Sequence, residues 1–243
     1  RHHLVGLRFT SAMENARQGD MFVVANTKSF WHAVGRQFGS MVISANKCYS
    51  ETGQVRLRSA DWKDYPVVEF NLLSDRRDLV RLMDALKLMA RVHLQPEMTA
   101  VTTDPFPAIW GDRVQQFGEV NLRNKLFTDL AARLLDGPKF LHDLLMRNFV
   151  FDRYSVQDIL HDEEKLEDFV RKGTIGLWHA SSSCRMGDKS DPMAVVDSHG
   201  RVHGLAGLRI CDTSIFPVIP AATPFFPAMM AAEKISDSIA AGH

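Results

Sequence analysis

The sequence predicts an α+β fold: an antiparallel β-sheet backed by helices over residues 1 to about 172, followed by a C-terminal strand–loop–helix segment. Three observations predict it. Short β-branched or alternating runs fill the first seventy-odd residues. Apolar residues recur at helical spacing after Ser74, and further helices are read between Asp129 and Gly173. Beyond Gly173 glycine, serine, proline and histidine become frequent while charge thins out. Strand runs followed by helix runs are the pattern of a segregated fold.

The strand candidates are Leu4–Thr10, Met21–Ala25, Met41–Ala45, Val55–Arg58 and Val67–Asn71, separated by turn-rich stretches such as Glu51-Thr-Gly-Gln54. Val55 and Leu57 alternate with Arg56 and Arg58, so one face is expected to be buried and the other wet. A helix follows, with Ser74 as its cap, Asp75 and Asp78 in its first turn, and Leu79, Leu82, Met83, Leu86, Met89 and Ala90 at helical spacing. Pro96 marks its end. Asp129–Leu135 and Phe140–Phe149 read as helices joined at Asp136-Gly-Pro138, and Ser155-Val-Gln-Asp158 has the spacing of a capping box. The acids Asp162 to Glu164 open a helix ending near Gly173, where negative charge suits the helix dipole. The C-terminal segment contains a short strand, Leu208–Cys211, and a helix from about Phe225 to Ala241. Thr223 is its expected N-cap and Pro224 its first residue. On that helix Met229, Met230, Ala232, Ile235 and Ile239 can face a core, and Lys234 and Asp237 water.

Composition narrows the function. Among 243 residues, Lys+Arg 29 balance Asp+Glu 29, which leaves no basic footprint for nucleic acid or an anionic membrane. No apolar run approaches the roughly 18–20 residues that span a bilayer. Three scattered cysteines build neither a disulfide framework nor a zinc site, so a reduced, cytoplasmic setting is expected. Neither a dinucleotide-binding glycine motif, a P-loop nor a nucleophile elbow occurs. The start at Arg1 rather than methionine reads as a piece of a longer protein.

Chemistry concentrates in the last seventy residues. A strand ending at Cys211 runs into Asp212-Thr213-Ser214, and ligands of open α/β sheets sit beyond strand carboxyl ends. The loop Pro217-Val-Ile-Pro220 then delivers the chain to a helix N-terminus, whose free N–H groups and partial positive charge suit a developing anion. An ordinary strand–loop–helix crossover would look the same. His179 is the natural general base of the segment, although a histidine beside Trp178 also suits plain packing. His199 and His203 are four apart, but Gly200 and Gly204 argue against the helix that would align them on a metal.

Two stretches taken together resemble the C-terminal signature of the glucose–methanol–choline (GMC) oxidoreductases. The first is His179-Ala-Ser-Ser-Ser-Cys-Arg-Met-Gly187, similar to His-Pro-Val-Gly-Thr-Cys-Lys/Arg-Met-Gly, continuing through Asp191–Asp197 and Arg201–Arg209. The second is Asp212-Thr-Ser-Ile-Phe-Pro217, then Pro220, then Pro227–Ile235. Asn46–Ser50, Gly53–Leu57 and Phe70–Asp75 are similar to the family's substrate domain.

The resemblance implies FAD as cofactor and oxidation of an alcohol, with oxygen or a quinone as electron acceptor. It divides the chain into a substrate-binding domain, 1–172, and a segment, 173–243, that completes a Rossmann-type FAD domain whose N-terminal half is absent here. Alone, such a fragment is expected to hold FAD poorly, to be inactive, and to self-associate through exposed apolar surface, with Phe216, Phe225 and Phe226 as candidates. The matching family histidine makes His179 the base that takes the alcohol proton while hydride passes to flavin N5. Pro224 and Phe225 would set the helix end toward the flavin, and Asp212 and Thr213 would lie near its phosphate or ribityl region. The family's second His or Asn is Thr223 here, Pro224-Phe225 replaces its Thr-Asn, Ser182 its glycine and Ala180 its proline. Either the chemistry rests on His179 alone or this member runs a weaker or different reaction. A redox-silent lyase and a non-catalytic binding domain are the alternatives.

Overall fold

The structure, a computed structural model, describes residues 3–29, 32–102, 105–109, 112–146, 154–177, 179–221 and 223–242. It separates into two units: Arg1–Ala45 with Asp75–Thr174, and Asn46–Ser74 with Ile175–His243. Residues 46–74, grouped by sequence with the first domain, thus pack with the C-terminal stretch.

In the first unit β1 (His3–Phe9), β2 (Met21–Asn26) and β3 (Ser40–Ala45) form an antiparallel sheet in that order, with Met21 opposite both Phe9 and Ala45. The central strand buries Met21 and Val23, two apart and therefore on one face. The helix α1 (Arg76–His93) packs along β3 and against α6 (Val156–His161) and α7 (Glu163–Gly173). Covered on more than one side, it buries Leu79, Met83, Ala85, Met89 and Ala90. Its N-cap is Asp75, which accepts from the Arg77 N–H, and not Ser74 as the sequence suggests. A carboxylate there also gains a bidentate partner in the Arg77 guanidinium, an advantage the serine hydroxyl lacks. Pro96 opens the short α2 (Pro96–Thr99). Beyond α3 (Asp112–Gly118) come α4 (Leu122–Leu135) and α5 (Lys139–Leu145); α4 begins one turn or more before the expected Asp129, because Asn121 caps it. The expected end of the next helix at Phe149 lies outside the described residues. The Ser155–Asp158 capping box forms as its spacing predicts.

The first unit is built around a buried ionic cluster. Arg81 is 1% exposed, and its guanidinium reaches Asp20 at 3.2 Å and Asp78 at 2.6 Å. Asp20 also accepts from the Ser11 N–H at 2.7 Å and the Ser11 hydroxyl at 2.6 Å. The cluster thereby ties the β1–β2 turn to α1. Burial alone pushes the Asp20 carboxyl up, but the bonds from Ser11 and Arg81 outweigh it and hold the group below its ordinary 3.8.

In the second unit β4 (Gln54–Arg56) pairs antiparallel with β5 (Val67–Glu69), with Val55 opposite Val68. The expected buried face is not seen: Val55 is 51% and Leu57 83% exposed. Alternation fixes which side chains share a face, but only a covering layer buries it. The expected strand Leu208–Cys211 is instead a single bridge, Arg209 with Arg201. Between them the chain reverses through Gly204 and Gly207, both at positive φ. A small core of Val196, Ile215, Phe216 and Ile235 joins these loops to α8 (Phe225–Ala240). The helix buries Ile235 and packs Ala228 and Ala231 on that core, whereas Met229, Met230 and Ile239 are exposed, correcting the expected stripe. Residues 228, 231 and 235 fall on one face because they are three and four apart.

Replacing Arg81 with Met strips both carboxylates of their buried partner and is expected to destabilise the first unit by about 3–5 kcal/mol, measured by urea unfolding. A carboxyl depressed in the folded state stabilises above its unfolded value and loses that contribution as pH falls through the folded one. The stability of this unit is therefore expected to fall below about pH 3.8, and in an Asp20→Asn variant that acid slope should flatten.

Candidate active site

The sequence-predicted site residues all belong to the second unit. Asp212 caps the 3-10 turn Thr213–Ile215 by accepting from the Ser214 N–H at 2.7 Å. Against this turn lies the stretch after His179. The Ser182 N–H donates to the Thr213 carbonyl at 3.2 Å, Cys184 to Ser214 at 3.0 Å, and Met186 to Ile215 at 2.8 Å. The Thr213 hydroxyl adds a bond to the Ala180 carbonyl at 2.8 Å. Sequence positions thirty apart are thus brought together, and Ile215 and Phe216 lock the turn into the core beneath α8. Phe216, a candidate for exposed surface, is 9% exposed, while Phe225 and Phe226 are 65% and 71% exposed and pack edge-to-face.

His179 is exposed, and its ring makes no hydrogen bond with any described residue; its carbonyl accepts from the Ser181 hydroxyl at 3.2 Å. Trp178 lies outside the described residues. The anchored Ala180 and Ser182 follow directly, so the imidazole stands at the end of a fixed strip of backbone. Asp212 and Thr223 are also exposed.

At the other candidate position the expected cap is corrected. Thr223 does not cap α8; Pro224 is the N-cap, with φ −76° and ψ 0°, and no side chain bonds the helix end. The proline ring fixes φ and its carbonyl accepts from the Ala228 N–H at 2.9 Å, so the first helical residue is Phe225. The N–H groups of Phe225 and Phe226 have no acceptor within the helix, and Pro227 contributes no donor. A 16-residue helix thus begins with donors that have no intrahelical acceptor and with partial positive charge.

The loop between the two halves is set by Asp197, whose carboxylate accepts from the His199 and Arg201 N–H groups and from the Arg201 guanidinium at 2.7 Å. Burial alone raises its pKa, yet these bonds win and hold it below the ordinary value. His199 bonds the Ser238 hydroxyl on α8 at 2.6 Å, and His203 donates to the Gly187 carbonyl at 3.1 Å, so the pair faces different partners. Gly200, at φ +73°, lies so close that a Cβ would stand 2.7 Å from the Ile210 carbonyl. None of this loop geometry was read from sequence; the Asp–x–His–Gly–Arg order is its only local signal.

With this geometry in view, known proteins place the chain. The family model described as GMC oxidoreductase matches residues 49–232. The chain belongs to the GMC oxidoreductases. It is 34% identical over 237 residues to a 5-(hydroxymethyl)furfural oxidase of Methylovorus sp. (strain MP688), covering 98% of this chain and 37% of that protein. An oxygen-dependent choline dehydrogenase of Chromohalobacter salexigens is 30% identical over 192 residues, covering 77% of this chain and 25% of that protein. The chain therefore spans between a quarter and two-fifths of the length of these relatives. Among solved structures, a formate oxidase from Aspergillus oryzae superimposes with a TM-score of 0.62 at 16% identity, covering 93% of this chain and 32% of that one. Pyridoxine 4-oxidase from Mesorbium loti gives 0.57 at 18% identity, covering all of this chain and 43% of that one. These likenesses show the α+β fold of GMC oxidoreductases.

Within this GMC chain, Ser182 explains one departure from the family motif. It stands where the motif has glycine and adopts φ +69°, a left-handed conformation that favours glycine. Its hydroxyl is buried and has no hydrogen-bond partner among the described residues. Ser182→Gly removes both penalties and is expected to stabilise the second unit by about 1 kcal/mol. Gly200→Ala, at a left-handed position without space, should have the opposite sign and cost about 2–4 kcal/mol. Urea midpoints of the two variants check the pair.

Proposed function

We propose that the chain is the substrate-side and C-terminal part of an FAD-dependent oxidoreductase that acts on the CH–OH group of an alcohol, with His179 as the base for the hydroxyl proton. The observation that carries this reading is the anchoring of the His179 strip onto Asp212–Thr213 in a chain of GMC membership. In this reading residues 1–172 form the substrate-binding domain and 173–243 the closing segment of the cofactor domain. The names of the two relatives, an oxidase and an oxygen-dependent dehydrogenase, favour oxygen over a quinone as electron acceptor. Among the described residues no helix is long and apolar enough to cross a membrane, and Cys184 and Cys211 are free thiols, which suits a reducing cytoplasmic setting.

The donor set fits the cofactor. The uncapped end of α8 offers the N–H groups of Phe225 and Phe226, as an electron-rich ring edge requires, and Pro224 keeps that end clear of a competing side chain. FAD, when bound, supplies the hydride acceptor. The protein's own part is the proton. An alcohol gives up hydride more readily as its oxygen loses the proton, and the open imidazole of His179 accepts it. Thr223, in the place of the family's second His or Asn, offers one hydroxyl that orients the alcohol oxygen but does not serve as a base. Asp212 and Thr213 would border the phosphate–ribityl stretch, contributing backbone donors, since the Thr213 hydroxyl is already bonded to Ala180.

The test uses the longer protein that carries this segment, purified and examined for flavin absorbance and for bleaching by alcohols under anaerobic conditions. Turnover is expected to fall at least 100-fold in His179→Ala, and less than tenfold in Thr223→Ala, with flavin content unchanged in both. Unchanged turnover in His179→Ala removes the base from the mechanism. A flavin that substrate never bleaches points instead to the redox-silent lyase, and a preparation without flavin to a binding domain.

A further inference from the structure

The first unit contains an open hollow of about 620 Å³ between the 3-10 turn Val34–Arg36 and the start of α4, lined mostly by exposed side chains. Its wall includes His32, Arg36, Val120, Asn121, Leu122 and Lys125. We propose that it binds a small organic anion, a carboxylate on a short apolar body.

The charge follows from what each group already does. His32 is 8% exposed, and its Nε2 lies 2.9 Å from the Glu119 carbonyl. A carbonyl only accepts, so Nε2 carries a proton; the same oxygen also takes the Asn124 amide at 3.0 Å. Nδ1 is then the ring's acceptor, so the donors toward an anion come from the other groups in the wall. Asn121 caps α4 by accepting from the Asn124 N–H at 2.8 Å, which leaves the N–H groups of Leu122 and Arg123 with no intrahelical acceptor. Lys125 shares its charge with Asp129 at 3.0 Å, whereas Arg36 forms no ion pair among the described residues. Two cations, one carboxylate and a helix N-terminus give the hollow a positive balance.

The apolar half of the wall sets the body of the ligand. Val120 and Leu122 are 79% and 71% exposed and flank the cap, with Ala33 opposite in the lining. Hydrated inorganic anions gain nothing from such surface, but a short hydrocarbon attached to the carboxylate does, by about 25 cal/mol per Å² covered.

Butyrate, its uncharged isostere butyramide, and inorganic phosphate are titrated into the longer protein that carries this segment, with amide shifts of Asn121–Lys125 and the His32 ring followed by NMR. Butyrate is expected to shift these signals saturably, at least tenfold more tightly than either comparison ligand. Arg36→Gln combined with Lys125→Gln is expected to weaken butyrate at least tenfold while leaving the circular dichroism spectrum unchanged. Butyramide matching butyrate, phosphate matching butyrate, an unaffected folded double variant, or no saturable shift with butyrate each overturns the proposal. Should the double variant fail to fold, the three-ligand comparison on the unaltered chain decides alone.

Discussion

The candidate site rests on a short ladder of backbone hydrogen bonds, from Ser182, Cys184 and Met186 to the carbonyls of Thr213, Ser214 and Ile215. Loops rarely satisfy their main-chain polar groups against one another so regularly, and here the ladder does the work of a sheet. It places the backbone that follows His179 against the turn that Asp212 caps. Ile215 and Phe216 extend the same turn into the core shared with Ile235 of α8. One continuous set of contacts therefore carries the imidazole's attachment, the acidic turn and the last helix. The side chains of His179, Asp212, Thr223 and Phe225 are left exposed on this frame.

The first unit solves a different problem. Its sheet has only three strands, and α1 must be held to it while also meeting α6 and α7. Apolar packing supplies most of the adhesion, but Arg81, with Asp20 and Asp78, fixes where along the strand turn the helix sits. Such a cluster contributes little net stability compared with an apolar core of equal volume. Its consequence is positional: a shifted helix would leave charges buried without partners, so few alternative registers are tolerable.

Exposed apolar residues on the β4–β5 ribbon and at the start of α8 show how far local patterning reaches. Alternation at Val55 and Leu57 and aromatic residues at Phe225 and Phe226 define faces. Whether a face is covered depends on a second layer, and in this chain these faces are open. GMC relatives are much longer than this chain, so a large part of their structure has no counterpart in it.

Local chemistry made much of the molecule legible in advance. The strands β1–β3, the apolar stripe of α1, the Ser155–Asp158 box and the acid-led α7 each depend on residues within a few positions of one another, where period and capping act directly. The family signature around His179 and Asp212 was readable for a similar reason, being carried by residue identity and order. Tertiary structure alone decided that Arg81 is buried, that Pro224 and not Thr223 begins α8, that Ser182 takes a left-handed turn, and that Thr213 holds Ala180. The α8 start is settled by the Pro224 carbonyl meeting the Ala228 N–H; the others depend on partners remote in sequence, whose approach is set by packing and by the need to satisfy buried polar groups, and no short window of residues contains that information.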